Sequence, residues 1–122
     1  MRQEFYTLEI ATSGQKLYEF THKTIDWIKS LKIKNGIINL SIQHTSASLI
    51  VQENADPDVQ TDLINYFDKL VPMNNKLYIH TVEGKDDMPA HIKSALTNNQ
   101  ISLSIKDEEL LLGTWQLSLI HI

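Results

Sequence analysis

Two aspartate–proline segments set the start of two helices and thereby limit what the rest of the chain can form. Asp56 stands directly before Pro57, and Asp87 stands two residues before Pro89. Aspartate is a preferred N-cap and proline is favoured in the first helical turn, so both segments predict helix starts. Apolar residues accompany each start at spacings of three and four, typical of an amphipathic helix: Val59, Leu63, Ile64, Phe67 and Leu70 before Pro72, then Met88, Ile92, Ala95 and Leu96.

A third helix is predicted earlier in the chain. Ile25, Ile28 and Leu31 recur at helical spacing after Thr21, which suits the N-cap position. Asn35-Gly36 then suits the end of the helix, because asparagine and glycine accept the left-handed conformation found there.

The remaining segments alternate apolar and polar residues and are predicted to be strands, with a polar turn at Lys106–Glu109. They are Gln3–Ala11, Lys16–Phe20, Ile37–Gln43, Ala47–Gln52, Lys76–His80, Gln100–Ile105, Leu110–Leu112 and Gln116–Ile122. Runs of sequential strands interrupted by helices favour an α+β fold with a mostly antiparallel sheet. No repeat or linker divides the chain, so residues 1–122 are predicted to form one domain.

Composition excludes several function classes. The chain has no cysteine, which excludes disulfides, thiolate nucleophiles and cysteine-ligated metals. The net charge is −4 and Arg2 is the only arginine, which argues against a general nucleic-acid binder. No apolar run is long enough to span a bilayer, and the first ten residues lack the apolar core of a secretory signal. We therefore expect no membrane partner and a cytoplasmic location.

Three histidines are placed where they can act together. His44 continues the inward alternation of the predicted strand Ile37–Gln43, and His80 closes another predicted strand. His91 lies on the apolar side of its predicted helix. Neutral imidazole is a common metal ligand, and three histidines with an open position would make a catalytic type of metal centre. The alternative is three unrelated histidines that bond to nearby backbone groups.

Acidic residues cluster near two of these histidines. Glu53-Asn54-Ala55-Asp56 follows the strand after His44, and Glu83–Asp87 lies between His80 and His91. Carboxylates beside a metal can ligate it, orient a histidine or act as general acid or base. The structural alternatives are helix caps at Asp56 and Asp87 and a solvated loop at Glu83–Asp87. Glu53 has neither alternative, because it shares the predicted inward face of its strand.

Two further polar motifs have open interpretations. His44-Thr45-Ser46 could supply a serine nucleophile, a hydrogen-bonded turn or a phosphate-binding turn, although no G-x-S-x-G motif is present. Gly113-Thr114-Trp115-Gln116 interrupts a strand pattern, which favours a bulge that turns a side chain toward a site. The alternative there is that Trp115 packs in the core.

Taken together, the motifs resemble the YjbQ family, known for a secondary thiamine-phosphate synthase activity. The matching strings cover most of the chain from Gly36 onward: HTSAS at His44–Ser48, ENADPDV at Glu53–Val59, Asp62-Leu63, Leu70-Val71-Pro72, EG-x-DDMPAHIK at Glu83–Lys93 and LLLGTWQ at Leu110–Gln116. Family members usually carry a glutamate several residues later and then a basic tail, and residues 117–122 contain neither.

The resemblance implies a two-layered antiparallel α+β domain, assembly as a homotrimer, and a polar pocket with a bound metal. It implies a divalent metal ligated by His44, His80 and His91, and catalytic roles for Glu53, Asp56 and Asp87. The expected substrate-binding residues come from the same motifs: Thr45, Ser46, Asn54, Glu83, Thr114, Trp115 and Gln116.

The implied reaction joins a hydroxymethylpyrimidine diphosphate to a thiazole phosphate and releases pyrophosphate. The expected partner is therefore a small phosphorylated metabolite. Zinc suits a histidine site, whereas magnesium would suit the carboxylates and a phosphorylated substrate. The alternatives are a metal-dependent hydrolase of a small metabolite, and a non-enzymatic protein that binds a metal or a metabolite.

Overall fold

A computed structural model describes residues 1–114 and 116–121 of the chain. The elements, in chain order, are β1 (Leu17–Glu19), α1 (Thr21–Leu31), β2 (Gly36–Ser41), β3 (Ser48–Glu53), α2 (Pro57–Leu70), a 3₁₀ turn (Asn75–Leu77), α3 (Asp87–Leu96), β4 (Gln100–Lys106), β5 (Glu109–Leu110) and β6 (Gln116–His121).

The strands form two antiparallel sheets with orders β1-β6-β3 and β2-β4-β5. The two sheets meet at the start of β4. There the N–H of Leu49 donates to the carbonyl of Asn98 at 2.7 Å, and the N–H of Ile42 donates to the carbonyl of Asn99 at 3.0 Å. This arrangement confirms the predicted α+β class and the antiparallel pairing.

The core forms where α1 and the two sheets meet. Ile28 of α1 packs with Ile38 of β2 and Ile105 of β4. A second cluster joins Phe20 to Leu49 of β3 and includes partly buried residues from both sheets. Burial of these alternating apolar positions is the main favourable term that holds the strands in register.

Helix α2 begins as its aspartate–proline segment predicts. Asp56 is the N-cap, and its Oδ1 accepts a hydrogen bond from the N–H of Asp58 at 2.9 Å. The apolar face of α2 lies over the β1–β3 side of the molecule, where Phe67 and Ile64 line a common pocket with Ile50. No described helix is long and apolar enough to cross a membrane.

The predicted strand Gln3–Ala11 is wrong. The segment has no strand assignment, although Leu8 and Ile10 pack against the core and Tyr6 stacks on Trp27 with ring centroids 5.4 Å apart. Alternation reports burial of one face, and here that burial occurs without a hydrogen-bonded strand partner.

The predicted strand Lys76–His80 is also wrong. The side chain of Asn74 accepts a hydrogen bond from the N–H of Lys76, which starts a 3₁₀ turn in place of extended chain. A third correction concerns α1, which ends at Leu31 instead of reaching Asn35-Gly36. Lys32 adopts a left-handed φ of 52° there, and its N–H donates to the carbonyl of Lys29.

Candidate metal centre

The first turn of α3 presents two ligand-type side chains on one side of the helix. Asp87 is the first helical residue and His91 lies one turn later. The Oδ2 atom of Asp87 and the Nε2 atom of His91 are 3.1 Å apart. Asp86 occupies the N-cap position, without a side-chain hydrogen bond. The alternative interpretation of Asp87 as the helix cap is therefore wrong, because its carboxylate is directed toward histidine.

The loop before α3 brings a second histidine and a second carboxylate to the same place. The Nε2 atom of His80 lies 2.7 Å from Oδ2 of Asp87 and 3.4 Å from Oε2 of Glu83. One potential ligand atom from each of the four side chains lies within 4.8 Å of the other three. We call His80, Glu83, Asp87 and His91 the histidine–carboxylate cluster.

The cluster is sheltered on its helix side and open on its loop side. The side chains of Asp87 and His91 are 22% and 31% exposed, whereas those of His80 and Glu83 are 47% and 66% exposed. A small ligand can therefore reach the cluster from the loop, and Glu83 is the member most accessible to solvent.

Two pKa values in the cluster are perturbed in opposite directions. The hydrogen bond to the Asp87 carboxylate raises the pKa of His80 above its ordinary 6.5. The same bond lowers the pKa of Asp87 below its ordinary 3.8. Opposite shifts of two partners are the signature of an ion pair that forms when histidine is protonated.

A distant backbone group fixes the ring of His91. The Nδ1 atom of His91 lies 3.0 Å from the carbonyl oxygen of Thr45. A carbonyl oxygen only accepts hydrogen bonds, so Nδ1 carries the proton and donates it. In the neutral ring, Nε2 is then the bare nitrogen, and Nε2 is the atom that faces the cluster.

The turn that supplies this carbonyl also holds His44. The ring of His44 is exposed, and its Nδ1 atom accepts a hydrogen bond from the N–H of Ser46 at 3.0 Å. The predicted inward orientation of His44 is wrong, because β2 ends at Ser41 and the side chain of His44, three residues beyond the strand, is exposed. Among the described residues, the cluster that could hold a metal does not include His44.

The Glu53–Asp56 segment lies outside the cluster. Glu53 is half-buried at the end of β3, where it pairs with Gln116 of β6. The amide of Asn54 donates to Oε2 of Glu19 at 2.8 Å and accepts a hydrogen bond from Gln60. Asp56 caps α2. The structure therefore places these three predicted site residues around the junction of β1, β3 and α2.

Thr114 and Gln116, two further predicted substrate-binding residues, lie at a turn that leads into β6. The side chain of Gln116 accepts a hydrogen bond from the N–H of Gly113 at 2.6 Å, and Thr114 is exposed within the turn. Trp115 lies outside the described residues.

Sequence reasoning missed two features of this site. The sequence assigned Glu83 to substrate binding, which stays a prediction, and did not single out its carboxylate as a cluster member, although the spacings of His80 to Glu83 and of Asp87 to His91 were available signals. The contribution of Thr45 is a backbone carbonyl, and no side-chain motif could reveal it.

Comparison with known proteins identifies the family to which this arrangement belongs. A family model described as UPF0047 protein YjbQ-like matches residues 6–120. The chain belongs to the YjbQ family. It is 49% identical to the UPF0047 protein sll1880 of Synechocystis over 115 residues, which cover 94% of this chain and 78% of that protein. It is 38% identical to the YjbQ protein of Salmonella typhimurium over 90% of this chain and 80% of that protein.

Solved structures of the YjbQ family share the fold. A conserved hypothetical protein from Thermus thermophilus superposes with a TM-score of 0.83 and 32% identity, over 93% of this chain and 86% of that one. A YjbQ/UPF0047-family protein from Clostridium acetobutylicum gives a TM-score of 0.83 and 29% identity, over 91% of this chain and 84% of that one. These matches confirm the family and the architecture.

Proposed function

We propose that this YjbQ-family protein is a metal-dependent enzyme that acts on a small phosphorylated metabolite. The observation that carries the proposal is the convergence of two imidazole nitrogens and a second carboxylate on Asp87, within 4.8 Å of one another. Two histidines and a carboxylate with an open position are a common ligand set of catalytic zinc sites.

The spacing of the cluster fits a small cation. Bonds of about 2.0–2.1 Å in tetrahedral geometry separate ligand atoms by about 3.4 Å. The cluster contacts are 2.7 Å for His80 to Asp87, 3.1 Å for His91 to Asp87 and 3.4 Å for His80 to Glu83. Small side-chain movements would therefore bring these atoms into a coordination shell.

The protonation of His91 supports the same assignment. Its Nδ1 proton is committed to Thr45, so a neutral His91 directs a bare Nε2 at a carboxylate oxygen. Two electron-rich atoms 3.1 Å apart need a proton or a metal ion to hold them together. Metal-binding histidines usually donate the N–H of the other ring nitrogen to a carboxylate, a backbone carbonyl or water, as His91 does here.

Formation of thiamine phosphate is the first reaction to test. The bond between the methylene carbon of the pyrimidine and a diphosphate oxygen breaks, and that carbon bonds to the thiazole nitrogen. The diphosphate leaves with the bonding electron pair, so stabilising its charge lowers the barrier. A bound divalent cation supplies this stabilisation as a Lewis acid. Zinc suits the imidazole ligands, and magnesium would require more oxygen ligands, some of them from phosphate.

We assign the remaining roles to residues of the chain itself. The ion would be bound by His80, Asp87 and His91. Substrate would displace Glu83, the most exposed member of the cluster. Glu53 and Asp56 lie outside the cluster, and we propose catalytic roles for them on the resemblance alone. Substrate binding by the other residues expected from the sequence is part of the same proposal.

Hydrolysis of a small metabolite is a second candidate, favoured by the exposure of the loop side of the cluster. Water could reach a cation held there by His80, Asp87 and His91, and a zinc ion would supply the activation that hydrolysis needs near neutral pH. A non-enzymatic metal or metabolite binder is the third outcome, which metal analysis and activity assays together distinguish.

We also propose that the protein assembles as a homotrimer. Ile79 and Val82, which flank His80 along the loop, have fully exposed side chains, and we propose that they lie at a subunit interface. A homotrimer would have a mass of 3 × 14.0 = 42 kDa, which light scattering measures directly. A concentration-independent monomer would contradict it. We propose a cytoplasmic location, which fractionation of cells of its native host tests.

Metal analysis tests the centre. The purified protein, dialysed with zinc, should retain about one ion per chain, and His91→Ala should lose most of it. His22→Ala is the matched control, because His22 is 86% exposed and lies outside the cluster. Equal retention by all three proteins would exclude the centre.

Activity assays then test the reaction. Zinc-loaded and magnesium-supplemented protein should form thiamine phosphate, and His91→Ala should form markedly less. Activity confined to phosphatase or esterase substrates would favour the hydrolase. Metal binding without turnover of either substrate class would leave a binding protein.

A further inference from the structure

Hydrogen bonds join one side of helix α3 to residues 45–49, at the start of β3. The hydroxyl of Ser94 donates to the carbonyl oxygen of Ala47 at 3.0 Å. Three residues earlier on the helix, Nδ1 of His91 lies 3.0 Å from the carbonyl oxygen of Thr45. Residues three apart lie on the same side of a helix, so this side of α3 contacts two carbonyl groups that are themselves two residues apart.

The last turn of α3 continues the same row of contacts. The hydroxyl of Thr97 lies 2.5 Å from the hydroxyl of Ser48. The N–H of Leu49 donates to the carbonyl of Asn98 at 2.7 Å. Ser48 and Leu49 are both buried, so these bonds hold the buried end of the segment against the helix. The hydroxyl of Ser94 extends the row toward His91.

The bond from Ser94 also controls where the carbonyl of Thr45 lies. Ala47 is 3% exposed, so its carbonyl has little access to water and depends on the hydroxyl of Ser94 for a hydrogen bond. Loss of this donor would favour a movement of the segment that exposes the carbonyl to water. Such a movement would carry the carbonyl of Thr45, only two residues away, out of its place beside His91.

The ring of His91 lies between two hydrogen-bond acceptors. Its Nδ1 atom faces the carbonyl of Thr45, and its Nε2 atom lies 3.1 Å from Oδ2 of Asp87. A neutral imidazole carries one proton, so only one of its nitrogens donates at a time. Asp87 favours a proton on Nε2, whereas Thr45 favours a proton on Nδ1. The balance between the two tautomers therefore depends on how closely the carbonyl of Thr45 is held.

We infer that Ser94 is a positioning residue for His91. Its hydroxyl holds residues 45–47 against α3, which keeps the carbonyl of Thr45 at Nδ1 and leaves Nε2 free to bind a metal. The inference rests on the proposed metal function for its effect on zinc binding, whereas its effect on the tautomer of His91 needs no metal. It adds to the site a residue that is not itself a member of the histidine–carboxylate cluster.

Nitrogen-15 NMR of the metal-free protein tests the inference, at a pH high enough to keep the histidine rings neutral. The measured quantity is the ratio of the Nε2–H to the Nδ1–H tautomer of His91. We expect Ser94→Ala to raise this ratio about 2- to 10-fold, the factor that corresponds to a neutral hydrogen bond. Ser94→Thr keeps the hydroxyl and should give the wild-type ratio. Ser30→Ala is the matched control, because it removes a serine hydroxyl that donates to a backbone carbonyl in α1, that of Trp27.

Zinc affinity is the second readout. Ser94→Ala should bind zinc about tenfold more weakly than the wild type, the lower end of the range for outer-shell partners of metal ligands. Ser94→Thr and Ser30→Ala should bind zinc as the wild type does.

Three results would overturn the inference. They are an unchanged tautomer ratio in Ser94→Ala, an equal shift of the ratio in Ser30→Ala, and a shifted ratio in Ser94→Ala with unchanged zinc affinity. If the wild-type protein binds no zinc, the proposed metal function fails, and the tautomer ratio still decides whether Ser94 positions His91.

Discussion

The Nε2 atom of His80 lies 2.7 Å from the Oδ2 atom of Asp87, across a turn of seven residues. This contact raises the pKa of His80 and lowers that of Asp87. It therefore links the stability of the metal-free protein to pH, because each group binds protons differently in the folded and unfolded chains.

The first prediction concerns this link. The stabilisation from His80 is complete below its unfolded pKa of 6.5 and is lost as the pH rises through the higher folded value. The stabilisation from Asp87 is present above 3.8 and is lost as the pH falls through its lower folded value. Metal-free protein should lose melting temperature above pH 6.5, and Asp87→Asn should lose less over the same interval. Parallel curves for the two proteins would show that the pair contributes nothing.

Local signals predicted the helices that carry the site. Asp56-Pro57 starts α2 where expected, and the four-residue spacing of Asp87 and His91 places both on one side of α3. These features depend on neighbouring residues alone, through capping and helical periodicity.

Which residues meet at the site could not be predicted from neighbouring residues alone. The carbonyl of Thr45 reaches His91 across 46 residues, and only the packing of the turn against α3 produces that contact. His44 was misplaced because strand alternation was extended beyond Ser41, where β2 has already ended. Tertiary contacts thus decided which two histidines meet.

The second prediction concerns the different roles of Glu83, in metal binding, and of Glu53, outside the metal site. Glu83→Gln should weaken zinc binding by at least about tenfold, since loss of even an outer-shell partner costs about 10- to 100-fold. Glu53→Gln should retain zinc and its melting temperature, because Glu53 lies outside the cluster. If Glu53 is a general acid or base, the turnover rate of Glu53→Gln should fall about 10²- to 10⁴-fold. Zinc loss in Glu53→Gln would contradict the assignment of the metal to the cluster, and unchanged turnover would remove Glu53 from catalysis.

The third prediction distinguishes two possible roles of Asp56, as a helix cap and as a catalytic carboxylate. Asp56→Ala removes the N-cap of α2 and should lower the free energy of unfolding by about 1 kcal/mol. Asp56→Ser keeps a good capping side chain without a carboxylate, so its stability should stay near that of the wild type. Urea denaturation measures both. Turnover of the serine variant then decides the function: a large loss supports a catalytic carboxylate, and wild-type activity assigns Asp56 to the cap alone.

The fourth prediction concerns an ion pair between the buried Lys93 of α3 and the partly exposed Asp68 of α2. Nζ of Lys93, whose side chain is 4% exposed, lies 2.6 Å from Oδ1 of Asp68. Removing the acid leaves a buried charge without this partner, whereas replacing the lysine with an apolar side chain removes that charge. Asp68→Ala should therefore cost about 1–3 kcal/mol in urea denaturation, and Lys93→Met clearly less. Asp62→Ala, an exposed acid of the same helix, should stay within about 0.5 kcal/mol of the wild type. Equal losses for Asp68→Ala and Lys93→Met would show that the pair itself, and not the stranded charge, sets the cost.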